Sequence, residues 1–376
     1  MDMLNGGLVG KLILFSLPLA FSSILQQLFN SADVAVVGRF AGDNALAAVG
    51  SCVALVGIFV NLIVGLAVGP NAVLANLIGQ KQRDKINDMV HTILTFGTIL
   101  GLGLMILGFA SARIILELSG TPSGVLAEAL LYIRIYFLSI PFMTVYNFGA
   151  AILRSFGDTR RPMFYLIISG IVNVIRFHLG VAGVAISTVI SNVISAVMVM
   201  VYLYRRDDEF AFRFNRMKIV RPYLRKILQI GIPSGIQGTI FSISNVFIQS
   251  GINSFGEDAI AGASVGLNFE YFTYFTISAF VQAAVTFTSQ NYGARNFKRC
   301  KKIFVYSMIS SVVICGLMSA IFVVWRDFFA GIYTTDKAVL EYASMRMVHV
   351  LLFECLASSY EIGGAALRGL GYSMTP

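Results

Sequence analysis

An aspartate stands inside the first apolar run of the chain, in a place where a charged side chain needs a chemical reason. Residues 12–38 carry no other charge, and Gln26, Asn30 and Asp33 follow one another at spacings of four and three. On a helix these spacings put the three side chains on one face. A carboxylate in an apolar segment is costly unless it faces water, protein or a cation. The polar face predicts a cavity wall where Asp33 binds a proton or cation; the structural alternative is a hydrogen-bonded aspartate near the helix end.

Three glutamates lie well inside apolar runs of the second half of the chain, away from the ends of those runs. Glu270 is in one run, while Glu354 and Glu361 are in another, seven residues apart and therefore nearly on one helix face. They predict a second locus for an ion or a substrate. The alternative is that each acid pairs with a polar group or extends to the membrane surface, and the residues alone leave both possibilities open.

The composition indicates that membrane-spanning helices position these acids. Apolar residues make up 57% of the chain and charged residues 12%, against about 25% charged in a soluble domain. Each apolar run is close to the roughly 20 residues that a helix needs to cross a bilayer, where the backbone has no other hydrogen-bond partners. We therefore predict an all-α integral membrane protein with a bend at Gly69-Pro70. The ten runs cover residues 12–38, 45–78, 91–110, 127–153, 163–179, 181–204, 227–255, 259–292, 303–324 and 339–367.

The chain also contains an internal repeat. LRSFGDTRRP, which begins at Leu153, and LRGLGYSMTP, which begins at Leu367, share Leu, Arg, Gly and Pro 214 residues apart, and Pro18 corresponds to Pro233 at an offset of 215. Because six runs precede the second copy, the repeats are expected to be parallel, with their pseudo-axis along the membrane normal. None of the four acids has an acidic counterpart. The predicted parts are an N-lobe at 1–204, a basic connector at 205–226 and a C-lobe at 227–376.

Two departures from six complete helices per repeat follow from this alignment. Pro376 corresponds to Pro162, after which the first half has two further helices, so the repeat predicts a C-lobe without its last two helices. The fifth run has only 13 uncharged residues before Arg176. An internal deletion, residues absent from this sequence, and a tilted helix in a thinned bilayer each explain the short run.

The charge pattern predicts an orientation and argues against several classes of protein. Most of the 28 Lys and Arg residues lie in loops on one side, so we expect a cytoplasmic N-terminus in a multi-pass protein of the bacterial cytoplasmic membrane. The same loops explain the net charge of +9 without nucleic acid. There is no Walker A loop, no H-E-x-x-H and no C-x-x-C pair, so we expect neither an enzyme nor a metal site or other cofactor.

Several motifs together resemble the multidrug and toxic compound extrusion (MATE) family, especially its DinF-like bacterial branch. They are Pro18 with Gln26 and Asp33, GVAGVAIST from Gly180, SQNYGA from Ser289 and LRGLG from Leu367. The resemblance covers essentially the whole chain. It implies a twelve-helix transporter with two six-helix lobes, which expels organic cations and other amphipathic compounds in exchange for H⁺ or Na⁺. We expect it to act as a monomer by alternating access.

The resemblance also assigns roles residue by residue. Asp33 resembles the family's first-helix acid, which alternately binds the coupling ion and responds to substrate, and Pro18 resembles the proline that lets this helix bend. Phe177 stands where some members have an acid after the fifth-helix asparagine. The remaining N-lobe positions that match the family's cavity and polar cluster are Gln26, Asn147, Asn173 and Thr188.

Two alternatives remain open at this stage. A flippase for lipid-linked oligosaccharides, from the same superfamily, would need a large cationic cavity, for which Arg134 is the main candidate within the helices. A non-transporting membrane scaffold would show no ion-coupled flux with any substrate.

Overall fold

The structure is a computed structural model, and its described part is entirely helical and irregular, without strands. It describes the backbone except at residues 41–42, 119–120, 122, 175–179 and 375–376. The backbone is described but the side chains are not at residues 29–40, 43–47, 54, 118, 173–174, 180–181, 246, 253 and 257. Asn30, Asp33 and Asn173 therefore have a described backbone but no described side chain. Phe177 lies outside the described residues.

The helices follow the predicted apolar runs closely, because long uncharged segments with few breakers can satisfy their backbone polar groups only internally. In chain order they are α1 (Val9–Phe40), α2 (Asp43–Leu66), α3 (Val68–Gly79), α4 (Arg83–Leu118), α5 (Ser123–Phe137), α6 (Ile140–Ser155), α7 (Arg160–Val174), α8 (Gly180–Tyr204), α9 (Arg221–Asn253), α10 (Glu257–Gly293), α11 (Phe297–Val324), α12 (Arg326–Gly331), α13 (Lys337–Arg346), α14 (Leu352–Glu354) and α15 (Ala357–Leu370). A 3₁₀ turn covers Phe214–Arg216, and a π-helical turn covers Met347–Leu351.

Three predicted runs are broken in the structure. The second run divides into α2 and α3 at Ala67, slightly before the predicted bend, and Pro70 lies in the first turn of α3, where a missing N–H is tolerated. The fourth run is bent by 41° between α5 and α6. The tenth run is bent by the same angle before α15. Corresponding runs of the two halves therefore bend alike.

The internal repeat is visible in the backbone itself. The N–H groups of Gly157 and Asp158 bond the last-turn carbonyls of α6 at 2.9 and 3.0 Å, and those of Gly371 and Tyr372 close α15 in the same way at 3.0 and 2.9 Å. Both glycines are left-handed, with φ of 90° and 96°. Because these positions are 214 residues apart, the shared motif forms one kind of helix end in both halves.

The described chain divides into two compact units. Unit 1 contains Met1–Ile24 and Ile243–Pro376, and unit 2 contains Leu25–Ser242. The core of unit 1 includes Phe15 and Phe287, whose rings meet edge to face at 5.4 Å. In unit 2 a core cluster surrounds Phe137, between α2, α4, α5 and α6. The predicted lobes at 1–204 and 227–376 remain a prediction.

The basic connector is bound to the start of α4 in unit 2. Val220 N–H donates to Thr92 Oγ1 at 3.1 Å, and Arg213 N–H donates to His91 Nε2 at the same distance. Lys218 forms an ion pair with Asp88 at 2.5 Å. The connector between the repeats therefore has a fixed course over this unit.

Five described helices are long and apolar enough to cross a membrane, or seven if each bent pair forms one span. This number is below the ten predicted runs. The difference arises because α7 has only 15 residues, while α9 and α10 are long enough but contain more polar side chains.

Candidate functional site

An ion pair in unit 1 joins the two apolar runs that carry the predicted second acidic locus, residues 259–292 and 339–367. Arg346 on α13 donates from Nε to Glu270 Oε1 at 2.5 Å and from Nη2 to Glu270 Oε2 at 2.9 Å. This is the bidentate arrangement that suits a planar guanidinium and a carboxylate. The side chains are only 17% and 14% exposed. The charge of Glu270 is therefore balanced within the protein.

A glycine one turn before the glutamate lies against the side chain of the arginine. A Cβ at Gly266 would lie 3.0 to 3.2 Å from the Cδ, Cγ and Cβ atoms of Arg346, so the bare backbone of α10 gives room for the arginine stem. The neighbours of both partners along the chain, Phe269 and Met347, belong to one buried apolar cluster with Leu351. The helices that carry the ion pair are therefore packed together beside it.

The second glutamate, Glu354, accepts a hydrogen bond from Thr273 Oγ1, one turn along α10 from Glu270. Thr273 is fully buried and Glu354 is half-buried. Glu354 follows the π-helical turn Met347–Leu351, a type of distortion that is frequent at functional sites. Among the ion pairs of the described residues, none includes Glu354. Its carboxylate is thus the acid of this locus without a basic partner.

The third glutamate lies beyond the helix bend. Glu361 on α15 accepts a hydrogen bond from Tyr274 and lies 3.9 Å from Arg368 Nη2. Since Thr273 and Tyr274 are neighbours on α10, the structure brings Glu354 and Glu361 to adjacent positions of one helix. Glu270 lies one turn earlier on α10 itself, so the three predicted acids lie along one stretch of this helix in unit 1.

The predicted site residues of the first half are spread over different helices, α1, α6, α7 and α8. Gln26 is exposed on α1, Asn147 on α6 donates to Met143 O at 2.9 Å, and Thr188 on α8 donates to Val184 O at 3.0 Å. Both bonds go to a carbonyl one turn earlier on the same helix. Pro18 lies within the continuous helix α1. The side chains of Asn30, Asp33 and Asn173 are outside the described residues, so these assignments remain predictions.

Sequence reasoning missed Arg346 as the partner of Glu270. The arginine lies inside the same predicted apolar run as Glu354, and a basic residue in such a run was the available signal. Its partner is 76 residues away, however, and no local pattern connects the two positions.

Breaking this pair is expected to destabilise the protein. Arg346→Met leaves Glu270 charged and largely enclosed, and we expect a loss of about 2 kcal/mol, below the roughly 3–5 kcal/mol of fully buried pairs because neither side chain is completely enclosed by the protein. Thermal unfolding in detergent measures it. Adding Glu270→Gln should recover part of the loss.

The exposed pair Arg113–Glu117 provides a control. Its side chains are 68% and 48% exposed, so Arg113→Met is expected to change the unfolding temperature much less than Arg346→Met. Equal effects of Arg346→Met and Arg113→Met would contradict an enclosed Glu270–Arg346 pair.

The bent apolar helices, the repeated helix ends and the acids along α10 define an all-helical membrane protein built from two parallel repeats. The chain belongs to the MatE family, because the model of that family matches residues 18–176 and, separately, residues 233–376. The two matches begin at Pro18 and Pro233, the pair of prolines that marks the internal repeat. This confirms the duplication and the family resemblance.

Known proteins with similar sequences and folds agree with this assignment. The chain is 28% identical over 381 residues to the probable multidrug resistance protein YoeA of Bacillus subtilis, covering 96% of this chain and 81% of that protein. It is 23% identical over 337 residues to the multidrug export protein MepA of Staphylococcus aureus, covering 88% and 74%. A solved outward-facing multidrug resistance MATE family transporter of the MOP superfamily has a TM-score of 0.91 at 23% identity, covering 99% of this chain and 85% of that one. The structural likeness shows the fold.

Proposed function

We propose that this protein is a secondary active multidrug exporter, which expels organic cations and amphipathic compounds by antiport with H⁺ or Na⁺. The observation that carries the proposal is its membership of the MatE family, whose members YoeA and MepA are named as multidrug resistance and export proteins. Apolar helices around a few enclosed acids suit such a role, because ionisable groups within a membrane typically mark ion or substrate pathways.

In the proposed mechanism the two lobes alternate between access to the two sides of the membrane. Asp33 binds the coupling ion, with Asn173 and Thr188 nearby, and α1 bends at Pro18 as the site fills. Gln26, Asn30 and Asn147 contribute to the N-lobe substrate cavity. In the C-lobe, Glu354 attracts cationic substrates and Glu361 contributes to the same locus, while Arg346 lies beside Glu270 and Arg368 beside Glu361.

The proposed setting is a bacterial cytoplasmic membrane with the N-terminus inside, where the protein acts as a monomer. The basic loops support this orientation. No enzymatic step or cofactor is part of the mechanism apart from the coupling ion.

Efflux from liposomes tests the proposal. The purified chain is reconstituted into liposomes that contain a fluorescent cationic dye. Efflux of the dye is followed under an imposed H⁺ gradient, an Na⁺ gradient or neither, with dye-filled liposomes that lack the protein as the control. We expect efflux that depends on one gradient, which identifies the coupling ion. Absence of gradient-dependent flux with several cationic dyes would contradict antiport, and translocation of an anionic polyprenyl lipid instead would favour the flippase.

A further inference from the structure

The end of α6 carries a cation whose charge is not balanced by the described residues of unit 2. Arg154 is half-buried, and its Nε is fully buried without a hydrogen-bond partner. The nearest acid along the chain, Asp158, is engaged with Arg161 through its backbone N–H and its guanidinium. Tyr146, which interacts electrostatically with Arg154, is neutral and donates its proton to Pro162 O at 3.1 Å. An enclosed guanidinium without an anion is costly.

The corresponding arginine of the other repeat has a built-in anion. Arg368 occupies the same motif position on α15, and its Nη2 lies 3.9 Å from Glu361 Oε2. The glutamate is seven residues before the arginine. In the first repeat the residue seven positions before Arg154 is Asn147, which is neutral. The two repeats thus share the cation but not its partner.

The two helix ends are equivalent, and the backbone at the end of α6 offers Arg154 no anion. The helix ends have the same backbone geometry, with left-handed Gly157 and Gly371 at matching positions, so the arginines leave equivalent turns. The last-turn carbonyls of α6 carry no net charge to balance the guanidinium, and those of Ile152, Leu153 and Arg154 already accept hydrogen bonds from Ser155, Asp158 and Gly157 respectively.

We propose that Arg154 and Asn147 form a binding site for a phosphate group, which takes the place that the Glu361 carboxylate has in the second repeat. A guanidinium matches phosphate oxygens in a bidentate manner. The Asn147 amide has a second N–H to donate beyond its bond to Met143 O. Arg160 begins the following helix, α7, and adds a further positive charge six residues after Arg154. The phosphate comes either from an anionic phospholipid or from free inorganic phosphate.

Four variants of the full chain test the site by binding and stability, without reference to transport. Asn147→Glu supplies the carboxylate of the second repeat, and Asn147→Gln is its uncharged match in size. Arg154→Gln removes the cation, and Arg154→Lys keeps the charge without the planar fork. Thermal unfolding in detergent is measured with inorganic phosphate against chloride at constant ionic strength. Native mass spectrometry measures retention of phosphatidylglycerol against diacylglycerol.

We expect the wild type and Asn147→Gln to gain stability with phosphate or to retain phosphatidylglycerol. Asn147→Glu and Arg154→Gln should bind roughly tenfold more weakly or worse, as loss of a hydrogen bond to a charged group implies. Arg154→Lys should fall between these limits. Without phosphate, Asn147→Glu should unfold at a higher temperature than Asn147→Gln.

The outcomes separate the two sources and can overturn the site. A response to the lipid alone identifies a phospholipid, and a response to inorganic phosphate alone identifies a free anion. Equal binding by Asn147→Glu and Asn147→Gln would overturn the proposal, and so would a wild-type chain that responds to neither ligand. If Arg154→Gln does not fold, the Asn147 pair still decides the question.

Discussion

Gly65→Ala is expected to lower the thermal stability of this protein, whereas Gly57→Ala on the same helix is expected to leave it unchanged or raise it. A Cβ at Gly65 would lie 2.6 Å from both the Cα of Gly235 and the carbonyl oxygen of Ser234, which belong to the backbone of α9. Contacts under 3.0 Å are essentially never seen for real Cβ atoms. Since backbone cannot rotate aside, α2 and α9 must separate. We expect a cost of about 2–3 kcal/mol.

Gly57 is the matched control because a Cβ there meets no atom within 4 Å. In an open helical position alanine is favoured over glycine by about 1 kcal/mol, so the two substitutions should change stability in opposite directions. Thermal unfolding in detergent, followed by size-exclusion chromatography, measures both. Equal unfolding temperatures for the two variants would contradict the close approach of α2 and α9.

Spacing of the small residues supports this interpretation. Gly65 and Gly69 are four residues apart, as are Gly231 and Gly235 on the facing helix. A Cβ at Gly231 would also lie 2.8 Å from the Leu66 carbonyl oxygen. Helices in membranes associate through such small-residue faces, because close backbone approach replaces the missing hydrophobic driving force.

Asp33→Asn is expected to reduce gradient-driven dye efflux to the rate seen with dye-filled liposomes that lack the protein. Asparagine has nearly the same size as aspartate but cannot release a proton or neutralise a bound cation. If Asp33 is the coupling acid, substrate binding remains while the link to the ion gradient is lost. The measurement is efflux under each gradient, with dye binding to the detergent-solubilised protein as the control for folding.

Glu354→Gln is the comparison in the other repeat. Glu354 accepts a hydrogen bond from Thr273, which glutamine can also accept, so the local structure should persist. We expect this variant to retain gradient-driven efflux with altered dye preference. Efflux that survives Asp33→Asn but is lost in Glu354→Gln would place the coupling in the second repeat and contradict the proposed role of Asp33.

The three glutamates of the second acidic locus could be selected from the sequence, but their partners could not. Glu270, Glu354 and Glu361 could be selected from the sequence because acids are rare in apolar runs. Their different roles depend on what each one contacts: Arg346 for the first, Thr273 for the second, and Tyr274 with Arg368 for the third. Thr273 and Glu354 are separated by 81 residues. Such pairings follow from helix packing, which hydropathy does not encode.

The sequence by itself determined the membrane class, the duplication and the family of this protein. Long apolar runs can satisfy their backbone groups only as helices in a bilayer, and Pro18 with Pro233 marks equivalent positions whatever the packing. Only the tertiary structure decided that Arg346 balances Glu270, that Glu361 lies beside Arg368, and that Gly65 faces α9. Local patterns fix what each segment becomes, whereas the charge balance and close contacts of a side chain depend on which distant segments pack against it.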